Sequence, residues 1–147
     1  MISVLVMASG EPSDLTRLLT ALVPAAADGL VRDVAVIGAS GPALAIADDA
    51  GAQLYAAFGE ALAQAKGPWV AGLPAGANFA SDWMERLTAH LVKEPQTAAR
   101  LVARGFSLPG GPEGWLAPKR LAGSPVVEHD LQRLARRGRR LRVLERR

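Results

Sequence analysis

Residues 67–87 read GPWVAGLPAGANFASDWMERL. Trp69, Val70 and Ala71 make a short apolar run of the kind that forms a buried strand. Ser81 is a helix-capping residue with Glu85 close to capping-box spacing, and SDWMERLTAHLVKE places apolar residues at helical intervals. The chain here runs strand (68–73), turn, helix, and the turn is Pro74-Ala75-Gly76-Ala77-Asn78. In α/β proteins the turn at the carboxyl end of a strand is where ligands bind. This one carries no carboxylate, hydroxyl, histidine or cation, and the Asn78 amide is its one polar side chain.

The same alternation extends in both directions. ISVLVM (2–7) reads as a strand buried on both faces. Glu11-Pro12-Ser13-Asp14 offers helix-start chemistry, Leu15, Leu18, Leu19 and Leu22 follow at helical spacing, and Pro24 and Gly29 are expected to end that helix. VRDVAVIG (31–38) and AQLYA (52–56) read as strands, separated by a short helix that opens at Gly41-Pro42 and closes at Gly51. FGEALAQAKG (58–67) is a further helix, and a fifth strand is expected around 100–103. Residues 105–125 hold five glycines and four prolines and read as one long irregular loop. VVEHDLQRLARRG (126–138) is a helix stopped by Gly138, and RRLRVL (139–144) has the alternation of a terminal edge strand. Strands and helices alternating at this spacing predict one three-layer α/β/α domain over residues 1–147 with a mostly parallel sheet.

Composition narrows the chemistry. The chain has 147 residues, enough for one domain with a sizeable core, and 50% are hydrophobic but 5% aromatic, so Ala, Leu and Val fill the interior. There are no cysteines, which excludes disulfides, thiolate catalysis and Cys-ligated zinc and fits a cytoplasmic protein. His90 and His129 are too far apart in sequence for a metal-ligand pair. No apolar run has the length of a membrane span, and the N-terminus lacks the basic region of a signal peptide. The net charge of +3 conceals an asymmetry: residues 131–147 carry eight arginines and one glutamate, a net +7 on a mildly acidic body. That tail reads as a solvated helix and strand, as an attractor of phosphate, or as a dock for an acidic partner. Without interleaved aromatics or a known motif, nucleic acid is not an expected partner.

Four phrases in order resemble the family 2 glycosyltransferases of the GT-A fold, which pass a sugar from a nucleotide-diphosphate donor to an acceptor. ISVLVMASGEPSDLTRLL stands where the family has a strand reading SVVIPTxNE before a Leu-rich helix, with Glu11 at the acidic position and Gly10 in place of Asn. VPAAADGLVRDVAVIGAS (23–40), GPWVAGLPAGANFASDWMERL and EHDLQRLARRGRRLRVL supply the other three. The resemblance covers roughly residues 2–92 and 126–144. It implies a GT-A, nucleotide-diphospho-sugar transferase type of fold.

The resemblance also implies site residues. Glu128 and Asp130 fall where the family has the acids that include the base deprotonating the acceptor hydroxyl; from the residues alone they read as acids that cap the last helix and favour its N-terminus. Glu11 and Ser40 fall beside the nucleotide, and the Gly38–Gly41 turn offers backbone N–H groups to a phosphate, although Pro42 removes one and no phosphate-loop fingerprint is present. Trp115 reads as a stacking platform or a loop anchor.

Two departures bear on activity. Gly38 stands where the family's base-holding Asp belongs, and Pro74-Ala75-Gly76 where its metal-binding acidic turn belongs. Mg²⁺ and Mn²⁺ want hard oxygen ligands, and neither Pro74 nor Gly76 has a side-chain oxygen. No resident metal or cofactor is therefore expected, a divalent ion entering only with a working transferase, in which Arg104, Arg120 or the tail would then neutralise the diphosphate. Two readings stay open. One is a nucleotide-sugar transferase with weakened or lost metal-dependent catalysis. The other is a non-catalytic subunit that binds a protein partner or a second copy.

Overall fold

The computed structural model describes residues 1–103, 113–121 and 128–145. Seven strands form one sheet. In chain order the elements are β1 (Ile2–Met7), α1 (Pro12–Ala27), β2 (Val31–Ile37), α2 (Pro42–Asp49), β3 (Gln53–Tyr55), α3 (Phe58–Gln64), β4 (Trp69–Pro74), α4 (Trp83–Lys93), β5 (Ala99–Ala103), β6 (Gly114–Pro118), a short 3-10 turn (Lys119–Leu121), α5 (Glu128–Arg137) and β7 (Arg139–Leu144). The strand order is β3-β2-β1-β4-β6-β5-β7. β1 through β4 run parallel, β6 is antiparallel to both its neighbours, and β7 lies parallel to β5 at one edge. Among the described residues no helix is long and apolar enough to cross a membrane.

Alternation along the strands divides the core into two layers. Ile2, Val4 and Val6 of β1 join Ala71 and Leu73 of β4, and α1 and α4 cover them with Leu15, Leu18, Leu22, Trp83 and Leu87. On the other face Leu5, Val70, Trp115 and Ala117 meet Ala61 and Leu62 of α3 and Leu131 and Ala135 of α5. Side chains that point to opposite faces at successive positions produce this division.

Four expectations need correction. The stretch 105–125 is not one irregular loop: residues 114–118 form β6, a strand buried along its whole length between β4 and β5. Residues 104–112 and 122–127 of that stretch lie outside the described residues. Gly114 opens β6 because a Cβ there would meet Leu73 Cδ2 at 2.6 Å and the Gly72 carbonyl at 2.7 Å. Pro118 ends it and pairs with Trp69. Trp115 is accordingly no exposed platform; it is 2% exposed in the core, edge-on to Phe58 at 6.0 Å.

Pro24 does not end α1, which continues to Ala27. Pro24 and Thr20 are both exposed, so the carbonyl that loses its N–H partner lies on the solvent side of the helix. Ser81 does not cap α4 either. Its N-cap is Asp82, which makes no side-chain cap bond and instead accepts from Arg86 Nε at 2.7 Å.

Candidate functional site

The carboxyl ends of β1, β2 and β4 meet at one side of the molecule. β1 ends at Met7 opposite Ile37 of β2 and Pro74 of β4. The Ala75 N–H donates to the Met7 carbonyl at 3.0 Å, which draws the turn after β4 against the segment after β1. A cleft of about 90 Å³ opens there, lined by Ser9, Gly10, Glu11, Ser40, Ala43 and Ala75 among others. Glu11 and Ser40 are thus brought together, from the starts of α1 and α2, beside the first residues of the turn.

Local sequence explains each placement. Glu11 is the N-cap residue of α1 with Pro12 at the first helical position, where a missing N–H costs nothing. Gly10 has φ +82°, so the chain leaves β1 through a left-handed residue. A Cβ on Gly10 would meet Asp14 Oδ2 at 3.2 Å. Asp14 is 8% exposed, beneath this segment, and pairs with Arg17 at 3.2 Å.

The remaining predicted residues fall elsewhere. Gly38 follows β2 with φ +73° and donates its N–H to Tyr55 O at 3.0 Å, but it does not line the cleft. Glu128 and Asp130 lie in the first turn of α5, at the same end of the sheet because α5 finishes beside the start of β5, where Arg139 N–H donates to Ala98 O at 3.0 Å. They do not line the cleft. Glu128 is half-buried and accepts from Gln132 Nε2 at 3.2 Å; His129 is exposed beside Arg133.

Arg120 is corrected by the topology. β6 runs antiparallel to β4, so Lys119 N–H donates to Pro68 O at 2.8 Å, and Arg120 stands at the amino end of β4. That is a strand length, roughly 16–20 Å, from the cleft. Arg139 and Arg140 likewise pair with Ala99 and Arg100 at the start of β5. Arg104 lies outside the described residues. The Arg100 guanidinium is held above its ordinary value by its hydrogen bond to Glu113, against the effect of burial; that pair braces β5 against β6 away from the cleft.

The turn itself is a packed wall. Ala75, Ala77 and Ala80 are 1%, 2% and 0% exposed. Phe79 stacks on Trp83 at 4.0 Å, and Ala80 N–H donates to Val143 O at 2.8 Å. Among the described residues no three acids or histidines come close enough to hold a metal ion. The side-chain oxygen donors that a hard divalent cation needs do not converge here: Pro74, Ala75 and Gly76 contribute none, and among the described residues Glu11 is the one carboxylate lining the cleft. The residues present do not fit such an ion.

No protein-family model matches the chain, and no curated protein matches it. Solved structures do. Glucosyl-3-phosphoglycerate synthase from Mycobacterium tuberculosis superposes over 100% of this chain and 72% of its own, at TM-score 0.68 and 20% identity. The fold is GT-A. The same enzyme in complex with Mn²⁺ and UDP-glucose matches at TM-score 0.67 and 20% identity, over 100% of this chain and 71% of that one. Its complex with Mn²⁺, UDP and phosphoglyceric acid matches at 0.62 and 20%, over 82% of this chain and 56% of that one. The chain thus spans between 56% and 72% of the synthase. The sequence missed Ser9 and Ala43 as lining residues, because only the joint approach of three strand ends creates the cleft.

Proposed function

We propose that this chain is a nucleotide-sugar glycosyltransferase-like protein whose metal-dependent catalysis is weakened or lost. One observation carries the reading: the turn after β4, beside Glu11 and Ser40, is Pro74-Ala75-Gly76 and offers no side-chain oxygen. A diphosphate leaving group develops negative charge that a metal or cationic clamp ordinarily stabilises. Here the turn cannot hold the metal, and Arg120 stands at the opposite end of the sheet. The test is calorimetric titration with UDP, GDP and their sugars, with and without Mn²⁺. The reading expects binding, where it occurs, to be the same with and without the metal. Micromolar binding that requires Mn²⁺ overturns it.

A second reading, a non-catalytic subunit with a protein partner or a second copy, is favoured by the cleft's size. The cleft that the described residues line, about 90 Å³, is far below the roughly 300–1,000 Å³ of small-molecule pockets. Under this reading none of the nucleotides or nucleotide sugars produces a binding heat, and saturable binding of any of them removes it.

A further inference from the structure

The edge strand β7 is covered along only part of its length. Its second half is closed by the segment after the β4 turn: Glu145 N–H donates to Asn78 O at 2.7 Å, and Phe79 bridges Leu144 in antiparallel fashion. Its first half has no such backbone partner on that edge among the described residues. There β7 and the last two turns of α4 enclose a groove of about 440 Å³ at the amino end of the sheet, opposite the cleft.

Five cations line this groove, Arg86 and Lys93 from α4 and Arg139, Arg140 and Arg142 from β7, against one acid, Glu94. Glu94 is engaged, with Arg139 Nε 2.8 Å away, and Arg86 is held by Asp82 at 2.7 Å. Lys93, Arg140 and Arg142 have no carboxylate within 4.0 Å among the described residues. Like charges gathered around one groove repel one another, and a bound anion lessens that repulsion. Guanidinium groups match phosphate oxygens in a two-pronged fit.

The rest of the lining narrows the ligand. Among the described residues it contains no Phe, Tyr or Trp on which a base would stack, and no side-chain hydroxyl or amide to read a sugar or a base edge. The His90 ring is committed, its Nε2 2.8 Å from Thr97 O and its ring in T-shaped contact with Trp69 at 5.9 Å.

We propose that the groove between α4 and β7 is a binding site for a polyphosphate anion, a ligand recognised through several phosphate groups and nothing else. The site is independent of the cleft beside Glu11 and Ser40, so its fate does not turn on the glycosyltransferase reading.

The probe is inorganic tripolyphosphate, titrated into the full chain by calorimetry at low salt. Saturable one-to-one binding is expected, weakening steeply as salt rises. The double substitution Arg140→Glu/Arg142→Glu is expected to weaken it by about tenfold or more. Lys93→Glu, on an exposed helix position that leaves β7 intact, is expected to weaken it in the same direction. Arg32→Glu, on β2 away from the groove, is expected to leave it unchanged. Absence of saturable binding, an equal loss in Arg32→Glu, or indifference to Lys93→Glu overturns the site. Tighter binding of a random DNA duplex or of anionic vesicles through the same residues overturns the ligand class.

Discussion

Gly72 and Trp115 sit opposite one another across the antiparallel β4–β6 pair, and the indole fills the space that any side chain on Gly72 would need. A Cβ there would stand 2.2 Å from Trp115 Cε2 and 2.3 Å from Nε1. Gly72→Ala therefore forces the ring out of its place against Phe58. Overpacking of this kind costs about 1–3 kcal/mol or more. Urea unfolding of Gly72→Ala, alone and combined with Trp115→Leu, measures it. The smaller side chain recovers part of the loss through coupling of about 0.5–3 kcal/mol; strictly additive effects contradict the packing account.

Gly138 makes a second close approach. A Cβ on it would fall 1.8 Å from Ala98 O and 2.6 Å from Ala98 C, both backbone atoms that cannot swing away. Gly138 is the hinge between α5 and β7, and Arg139 N–H bonds the same carbonyl. Gly138→Ala is expected to loosen β7 from β5, destabilising the chain by about 3 kcal/mol or more. Amide exchange should speed up first in β7; unchanged protection there sinks the assignment.

Ser3 is fully buried and joins three segments at the amino end of the sheet. Its hydroxyl donates to Asp33 Oδ1 and accepts from Gly67 N–H at 2.8 Å. Ser3→Ala leaves the Gly67 N–H buried without that acceptor, at a cost of about 1–3 kcal/mol. The fall in denaturation midpoint measures this, and Ser3→Thr, which keeps the hydroxyl, is expected to lose less than Ser3→Ala.

Acids can be reinstated unequally around the cleft. A Cβ on Gly76 meets nothing within 4 Å and its φ is not positive, so Gly76→Asp is expected to change stability by less than about 0.5 kcal/mol. Gly38 also has open space but φ +73°, so Gly38→Asp carries the strain of a left-handed residue, about 1 kcal/mol. The pair Pro74→Asp/Gly76→Asp is expected to acquire Mn²⁺-dependent UDP binding that the parent lacks. If the double variant folds and Mn²⁺ has no effect on UDP binding, the turn is not the place of a metal site.

Much of the fold was legible because local signals and tertiary demands coincide in the parallel half. ISVLVM and PWVAGL are apolar at nearly every position, and VRDVAVIG is so over its second half, because both faces of the strands are covered there, and that pattern survives in sequence. RRLRVL alternates because it lies at an edge. β6 was not legible. Its glycine and its proline read as loop residues, yet Gly114 is needed where β6 crowds Leu73 and Gly72, and Pro118 stands at the strand's end. For the candidate site, Glu11 and Ser40 line one cleft beside the β4 turn, whereas Arg120 stands at the other end of the sheet, because the direction of β6 leaves no mark in the chain.

By itself the sequence determined the alternation of elements, the two-sided burial of the central strands and the absence of oxygen ligands in Pro74-Ala75-Gly76, since these depend on which side chains stand at which spacing. The tertiary structure alone decided that Trp115 is core, that Arg120 and the β7 arginines stand at the amino end of the sheet, and that residues 78–80 close one half of β7 and leave the other open. Those facts depend on strand order and direction, which long-range backbone pairing sets and local composition does not encode.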